Sequence, residues 1–272
     1  MKRAVLHVNA RKPAAVAAGA RVMLMARTAG LEIAAGPYGG SEPPDLALVL
    51  GGDGTMLGAA HAFPGVPLLG LNLGSLGFLA DVEEADFMSA IQAVAAGRYT
   101  VSERPALCVD GHVGFNEIVI SRGVSGHAAD LELQVDGRFA ARFLADGLAF
   151  ATPTGSTAYS LAAGGPILLP ESRCFAVTPI CPHSLSSRPL VLPDTSSFTV
   201  SLEPRPGADA ASVFADGECV GRLAAGESMT IARAAVNLRL VRLESSDPFR
   251  ALSRKLGWSG SSFGARDGTH GA

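Results

Sequence analysis

Lysine is almost missing from this chain of 272 residues, which holds only Lys2, Lys12 and Lys255. None of the three closes a G-x-x-x-x-G-K-[ST] spacing. A Walker A phosphate loop is therefore excluded, and few side chains remain for Schiff-base chemistry. Cysteine is sparse as well. Cys108, Cys174, Cys181 and Cys219 show no C-x-x-C spacing, which speaks for reduced thiols and against a zinc site or a disulfide frame. No one sign of charge dominates, since the formal net charge is −3. A nucleic-acid binder would normally be basic, so none is expected as a partner. No apolar run approaches the ~18 residues of a membrane span. The basic tip at Lys2 and Arg3 leads into an apolar stretch too short for a signal peptide, and it reads as a first strand. The expected location is the cytoplasm, with no membrane contact.

What is present is apolar material cut by turn residues. Hydrophobic residues make up 48% of the chain and charged residues 17%, enough to bury a sizeable core in one large domain or two ordinary ones. Ala4–Val8, Leu31–Ala34, Leu46–Leu50 and Val66–Leu71 are strand candidates. Ala14–Ala29, Met56–Ala62 and Phe87–Ala96 read as helices, and Tyr38–Asp45 as a loop. This alternation implies a parallel sheet covered on both faces, an α/β domain over residues 1–98. From Tyr99 onward short β-like runs dominate, at 106–109, 115–121, 131–135, 139–144, 148–151, 175–180, 198–202, 229–232 and 236–241. Asp136-Gly137 between two of them is a strong hairpin signal. Residues 99–247 are thus expected to form a mainly β domain. The tail, 248–272, reads as a helix over Phe249–Leu256, and fraying is expected over Ser259–Ala272.

Four segments carry chemistry. In Leu46–Thr55 a buried strand runs into Gly51-Gly52-Asp53-Gly54-Thr55, with a helix after it. Glycines let the backbone approach a phosphate, and a helix N-terminus offers free N–H donors. A carboxylate there repels phosphate unless it has a task. Asp53 either accepts a proton from an attacking hydroxyl, helps hold Mg²⁺, or is a turn or N-cap residue. In Asp146–Pro166 a strand meets a hydroxyl-rich turn. Thr154, Ser156 and Thr157 there either bond ribose, phosphate or base edges, or act as caps beside glycines that allow close packing. Asn116-Glu117 opens an apolar β run, and an amide beside a carboxylate suits an adenine edge or ribose hydroxyls as well as an exposed strand start. Asn72–Asp81 places a second glycine-spaced loop after a strand.

Together, in this order, these segments resemble the NAD kinase family over nearly the whole chain. Gly51–Thr55 is similar to its Gly-Gly-Asp-Gly motif, Asn72–Asp81 to the glycine loop that follows, and Asn116-Glu117 to its Asn-Glu/Asp pair. Asp146–Pro166 is similar to its long Thr-Pro-x-Gly-Ser-Thr-Ala-Tyr signature, the most specific of the four. Thr178–Pro189 and Lys255–Trp258 also resemble family segments.

The resemblance implies a Rossmann-like α/β domain, then a β domain, with NAD in the cleft between them. It implies transfer of the γ-phosphoryl group of ATP, or of polyphosphate, to the ribose 2′-hydroxyl of NAD, with Mg²⁺ or another divalent cation as cofactor. Asp53 is the implied general base. Implied nucleotide contacts are Gly54, Asn116, Glu117, His127, Asp146 and the run Thr157, Ala158, Tyr159, Ser160, Leu161 and Ala162. No residue is assigned to metal. A homodimer or homotetramer is implied. Two positions depart from the family. Leu144 stands where some members carry arginine, although Arg142 is near, and Glu218 stands where many carry glutamine. Two other readings are a lipid kinase with the same loop and a non-catalytic dinucleotide sensor. The first usually carries a Gly-Thr-x-Asn-Asp stretch that is missing here. The second has no need for a carboxylate beside phosphates.

Overall fold

The computed structural model describes residues 3–35, 42–74, 77–124, 126–207 and 209–258. The loop expected over 38–45 lies outside the described residues as far as 41, and the stretch expected to fray, 259–272, lies wholly outside them. Arg3–Val8 (β1), Glu32–Ala35 (β2), Leu46–Leu50 (β3) and Leu68–Asn72 (β4) pair in parallel, in the order β2-β1-β3-β4. The five consecutive apolar residues of β3 are all buried, as a central strand covered on both faces requires. Their alternation sorts the helices. Leu46, Leu48 and Leu50 pack with α1 (Pro13–Thr28) and α3 (Phe87–Ala95) on one face. Ala47 and Val49 pack with Met56, Ala59 and Ala60 of α2 (Asp53–Ala62) on the other. The glycine turn after β3 starts α2 at Asp53, three residues earlier than the apolar pattern indicates, because the first turn of the helix is polar.

Two six-stranded antiparallel sheets follow. Leu131, Leu133, Phe198 and Val200 of one face Phe150, Phe175 and Val213 of the other. The Phe198 ring lies 5.4 Å from Phe150 and 6.4 Å from Phe175, centroid to centroid, at the centre of this core. Asp136 and Gly137 take φ of 51° and 74°, the left-handed pair that a two-residue hairpin needs. Asp110-Gly111 and Asp216-Gly217 repeat this geometry between short strands. Past Asp146, only a single 3₁₀ turn at Gly155–Thr157 and the one-turn α4 (Tyr159–Ala162) stand where a small-residue helix is expected.

Two strands from the stretch beyond residue 99 pair with the first sheet. They are Thr100–Arg104 and Leu238–Arg242. Leu238–Arg242 lies parallel beside β4, and Thr100–Arg104 is antiparallel at the edge. The chain leaves the α/β sheet, builds the sandwich and returns. Leu238 and Leu240 bury on the α2 side of the sheet, whereas Thr100–Arg104 is polar enough for an edge and does not announce its sheet by composition. The C-terminal helix α5 (Pro248–Leu256) is capped by Asp247, which accepts from Phe249 N at 2.9 Å, and ends at left-handed Gly257. Arg250 and Arg254, one turn apart, both donate to Glu83 at 2.8 Å and lay α5 on the first domain. Among the described residues no helix is long and apolar enough to cross a membrane.

Truncating the ring at the centre of the sandwich removes contacts to both sheets. Phe198→Ala is expected to lower the unfolding free energy by about 3–5 kcal/mol, read as a shift of the urea midpoint at constant slope.

Candidate active site

The C-terminal edge of a parallel sheet, where a strand turns through glycines into a helix, is where ligands of α/β proteins bind. Here β3 ends at such a turn. Gly52, not Asp53, is the N-cap of α2, and no side chain caps it. Asp53 is the first helical residue, and its carboxylate reaches across to the loop after β4. Oδ2 accepts from Phe78 N at 3.0 Å. Oδ1 accepts from Leu79 N at 3.0 Å and Ala80 N at 3.3 Å. Lys255 of α5 brings its Nζ to 3.3 Å from Oδ2. A Cβ on Gly77 would stand 2.1 Å from Oδ1, so only glycine lets the loop close on this carboxylate. The Asp53 side chain remains 29% exposed, with four donors on its two oxygens.

The first turn of α2 divides two cavities. Asp53 lines one of about 470 Å³, with Gly51, Gly52, Asn72, Lys12 and Lys255. Gly54 lines another of about 300 Å³, with His61, His112, Asp216 and Glu218.

A second carboxylate repeats the first one's device. Asp216, in its left-handed turn, is buried and accepts from Phe115 N at 2.8 Å, Asn116 N at 2.7 Å and Glu117 N at 3.2 Å. His61, near the end of α2, places Nε2 2.9 Å from Asp216 Oδ2 and packs its ring against Phe115 at 4.9 Å, tilted by 60°. That hydrogen bond raises the His61 pKa in spite of partial burial. The helix that begins with Asp53 is thereby tied to the Asn116-Glu117 segment. Glu117 is 8% exposed, its Oε2 has no hydrogen-bond partner among the described residues, and burial followed by the nearby Asp216 charge pushes its pKa up to about 7. Only the Tyr159 backbone N–H favours its charged form. The strand begins at Glu117, so Asn116 stands before it rather than within it.

The hydroxyls of the signature mostly build the turn. Thr152 Oγ1 donates to Phe115 O at 2.7 Å, Ser156 Oγ donates to Pro153 O at 2.7 Å, and Ser160 and Thr178 share a hydrogen bond of 3.0 Å. Ser156 and Ser160 are fully buried, and Thr157 Oγ1 donates back to Thr154 O at 3.3 Å. A Cβ on Gly155 would lie 2.0 Å from Asn116 O, so the turn is pressed directly on the Asn116-Glu117 backbone. Thr154 is the hydroxyl that meets Arg104, at 3.5 Å from Nη1. Arg104 is 2% exposed, and its Nε and Nη2 have no partner among the described residues. Burial, then Arg242, brings its pKa down to about 9 against the pull of Glu171, Asp81 and Asp53.

Of the residues singled out from sequence, Asp53 and Gly54 open on the two cavities, and Asn116, Glu117 and Thr157–Ala162 pack together through the Asp216 clamp and the Tyr159 bond to Glu117. His127 and Asp146 line neither cavity. His127 is exposed beside Gly207, and Asp146 pairs with Arg122 at 2.7 Å. Arg142 does not stand in beside Leu144, since it binds Asp130 through two bonds of 2.8 and 3.0 Å. Glu218 does line a cavity, the one at Gly54. Sequence reasoning missed Asp216, His61, Arg104, Lys12 and Lys255. The scarcity of lysine was a usable signal, because two of the three lysines stand at one cavity.

Comparison with known proteins finds matches over most of the chain. The family model described as ATP-NAD kinase N-terminal domain matches residues 41–99, and that described as ATP-NAD kinase C-terminal domain matches residues 115–243. The chain is 42% identical over 230 residues to the NAD kinase of Geotalea daltonii, covering 80% of each, and 40% identical over 226 residues to that of Koribacter versatilis, covering 79% of this chain and 78% of that one. Its fold is similar to the crystal structure of yeast NADH kinase complexed with NADH, with a TM-score of 0.83 and 27% identity over 96% of this chain and 89% of that one. It is also similar to an NAD kinase from Archaeoglobus fulgidus in complex with ATP, with a TM-score of 0.76 and 25% identity over 96% of this chain and the whole of that one.

Two buried carboxylates make testable demands. The pKa of Glu117 is raised in the fold, so its contribution to stability is complete below the ordinary glutamate value and is lost as pH rises through about 7. Between pH 5 and 8 the wild type is expected to lose on the order of 2 kcal/mol relative to Glu117→Gln, measured as urea midpoints across that range. Asp216→Asn is expected to cost about 1–3 kcal/mol and to return the His61 titration, followed by NMR, toward its ordinary range.

Proposed function

We propose, for a chain that belongs to the NAD kinase family and is an enzyme that phosphorylates NAD to NADP, that Asp53 takes the proton of the adenosine ribose 2′-hydroxyl. The 2′-oxygen then attacks the γ-phosphorus of ATP. The new O–P bond forms as the bridging bond to the β-phosphate breaks, ADP departs, and the proton resides on Asp53 until it is lost to solvent. The observation that carries this reading is the position of Asp53. It is a partly exposed carboxylate at the ligand edge of the sheet, in the helical turn between two cavities, and it does not serve as a cap. Chemistry of this type relies on positioning and charge neutralisation more than on covalent help from the protein.

Asn116 and Glu117 hold the adenosine part in this reading. Glu117 Oε2, buried and unpartnered, gains a hydroxyl or amino donor when the nucleoside arrives. Gly54 lets the backbone approach the dinucleotide, and Thr157–Ala162 contribute mainly through backbone and shape, since the Thr157 and Ser160 hydroxyls are used within the turn. His127 and Asp146, exposed and away from both cavities, act on the nucleotide of a neighbouring copy in a homodimer or homotetramer. The donor is ATP or polyphosphate, and the enzyme works in the cytoplasm.

A divalent cation fits here as a guest of the donor's phosphates. Among the described residues no cluster of three His, Cys, Asp or Glu side chains suits a metal, and the lysine-lined cavity offers Asp53 and Asn72 as its side-chain oxygen donors. Magnesium ions are commonly held by one or two carboxylates together with substrate phosphates. A bound ion supplies neutralisation of phosphate charge.

Purified protein with NAD, ATP and Mg²⁺ is expected to yield NADP, read through an NADP-specific dehydrogenase. Asp53→Asn is expected to lower turnover by about 10²–10⁴-fold while still binding NAD. A loss below about tenfold would remove Asp53 from the role of base.

A further inference from the structure

The carboxylate of Asp53 is saturated. An ionised carboxylate offers about four lone-pair positions on its two oxygens. Here Oδ1 accepts from Leu79 N and Ala80 N, and Oδ2 accepts from Phe78 N and Lys255 Nζ. A ribose hydroxyl that is to hand its proton to Asp53 must displace one of these four donors. Three are backbone amides of consecutive residues, held by a loop that closes on Asp53 at Gly77. The fourth is the tip of a flexible side chain, 202 residues away in sequence. Lys255 is the donor that can leave at small cost.

The place for it to go is adjacent. Lys255 and Lys12 line the same cavity beside Gly51 and Gly52, and the carboxylate lining that cavity is Asp53 itself. Lysine carries a compact charge on a mobile stem, suited to following a phosphate. The Lys255 ammonium also lies 4.5 Å from the Phe78 ring centroid, a contact that keeps it near the loop without a fixed hydrogen-bonding direction.

We propose that Lys255 and Lys12 form the subsite for the phosphate chain of the donor, and that a bound polyphosphate draws Lys255 off Asp53 so that the carboxylate can receive the ribose hydroxyl. The proposal rests on Asp53 being the base. Donor and dinucleotide then bind with positive coupling, because the first uncovers a hydrogen-bond acceptor for the second, and the coupling is reciprocal.

Inorganic tripolyphosphate, titrated calorimetrically into the full-length protein, serves as the probe. Wild type is expected to bind it, with affinity at least about tenfold weaker in Lys255→Met and in Lys12→Met and partly restored in Lys255→Arg. In wild type, tripolyphosphate is expected to tighten NAD binding by about three- to tenfold, the worth of one hydrogen bond. In Lys255→Met, where Asp53 is already uncovered, NAD is expected to bind at least as tightly as in wild type, with no further response to tripolyphosphate. Unchanged tripolyphosphate affinity in both methionine variants would overturn the subsite. Competition between tripolyphosphate and NAD in wild type would overturn it as well, by placing the phosphates in the dinucleotide's own site. If Asp53→Asn keeps its turnover but Lys255 is required for tripolyphosphate binding, the subsite stands and the reading of Asp53 as base falls.

Discussion

Much of this molecule is organised by carboxylates that collect runs of consecutive backbone amides. Asp53 accepts from residues 78, 79 and 80, and Asp216 accepts from residues 115, 116 and 117. Amides pointing the same way from an irregular loop have no ladder partner, and leaving them unpaired away from water is costly. One aspartate resolves the problem for a whole loop. Each aspartate is followed by glycine, and each sits where the chain turns sharply. Asp53 thereby ties the start of α2 to the loop after β4 and, through Lys255, to the C-terminal helix, while Asp216 ties the end of α2 to the Asn116-Glu117 segment, alongside the apolar contacts of Met56, Leu79 and Phe115.

Function requires this cleft to hold charge that a core would reject. Glu117 and Arg104 are nearly inaccessible, and each has polar atoms without a partner. In a structure that served only stability, such groups would be replaced by apolar ones. Arg104 ends an edge strand of the first sheet and Glu117 opens a strand of the sandwich. The pKa directions agree, since burial pushes Glu117 toward its neutral form and Arg104 away from its full charge.

The sandwich and the sheet contribute in different ways. The parallel sheet supplies a rigid edge at which β3 and β4 end side by side, so that the glycine turn and the Asp53-binding loop face each other. The sandwich supplies the signature turn, whose hydroxyls and glycines fasten it to the Asn116-Glu117 backbone. The return of Leu238–Arg242 to the first sheet joins the two halves. It also carries the chain to α5, from which Lys255 reaches Asp53.

Much of the fold was legible in the sequence because its determinants are local. Buried runs such as Leu46–Leu50, the left-handed Asp-Gly pair at 136–137 and the glycine-rich turn before Asp53 each act within a few residues, where sterics and burial periodicity decide. The reaction was legible only through the resemblance of Gly51–Thr55, Asn116-Glu117 and Asp146–Pro166, taken together, to the family's motifs, since each alone left a structural reading open. Sheet membership of Thr100–Arg104 and Leu238–Arg242 was not, because a short strand does not declare which edge it will join. Nor was the clamp of Asp216 on residues 115–117, or the reach of Lys255 to Asp53. Those contacts link residues about a hundred to two hundred positions apart, and no local pattern encodes them. Whether a serine faces a ligand or a neighbouring carbonyl, and whether a carboxylate is free or already saturated, depends on which distant backbone donors folding brings to it.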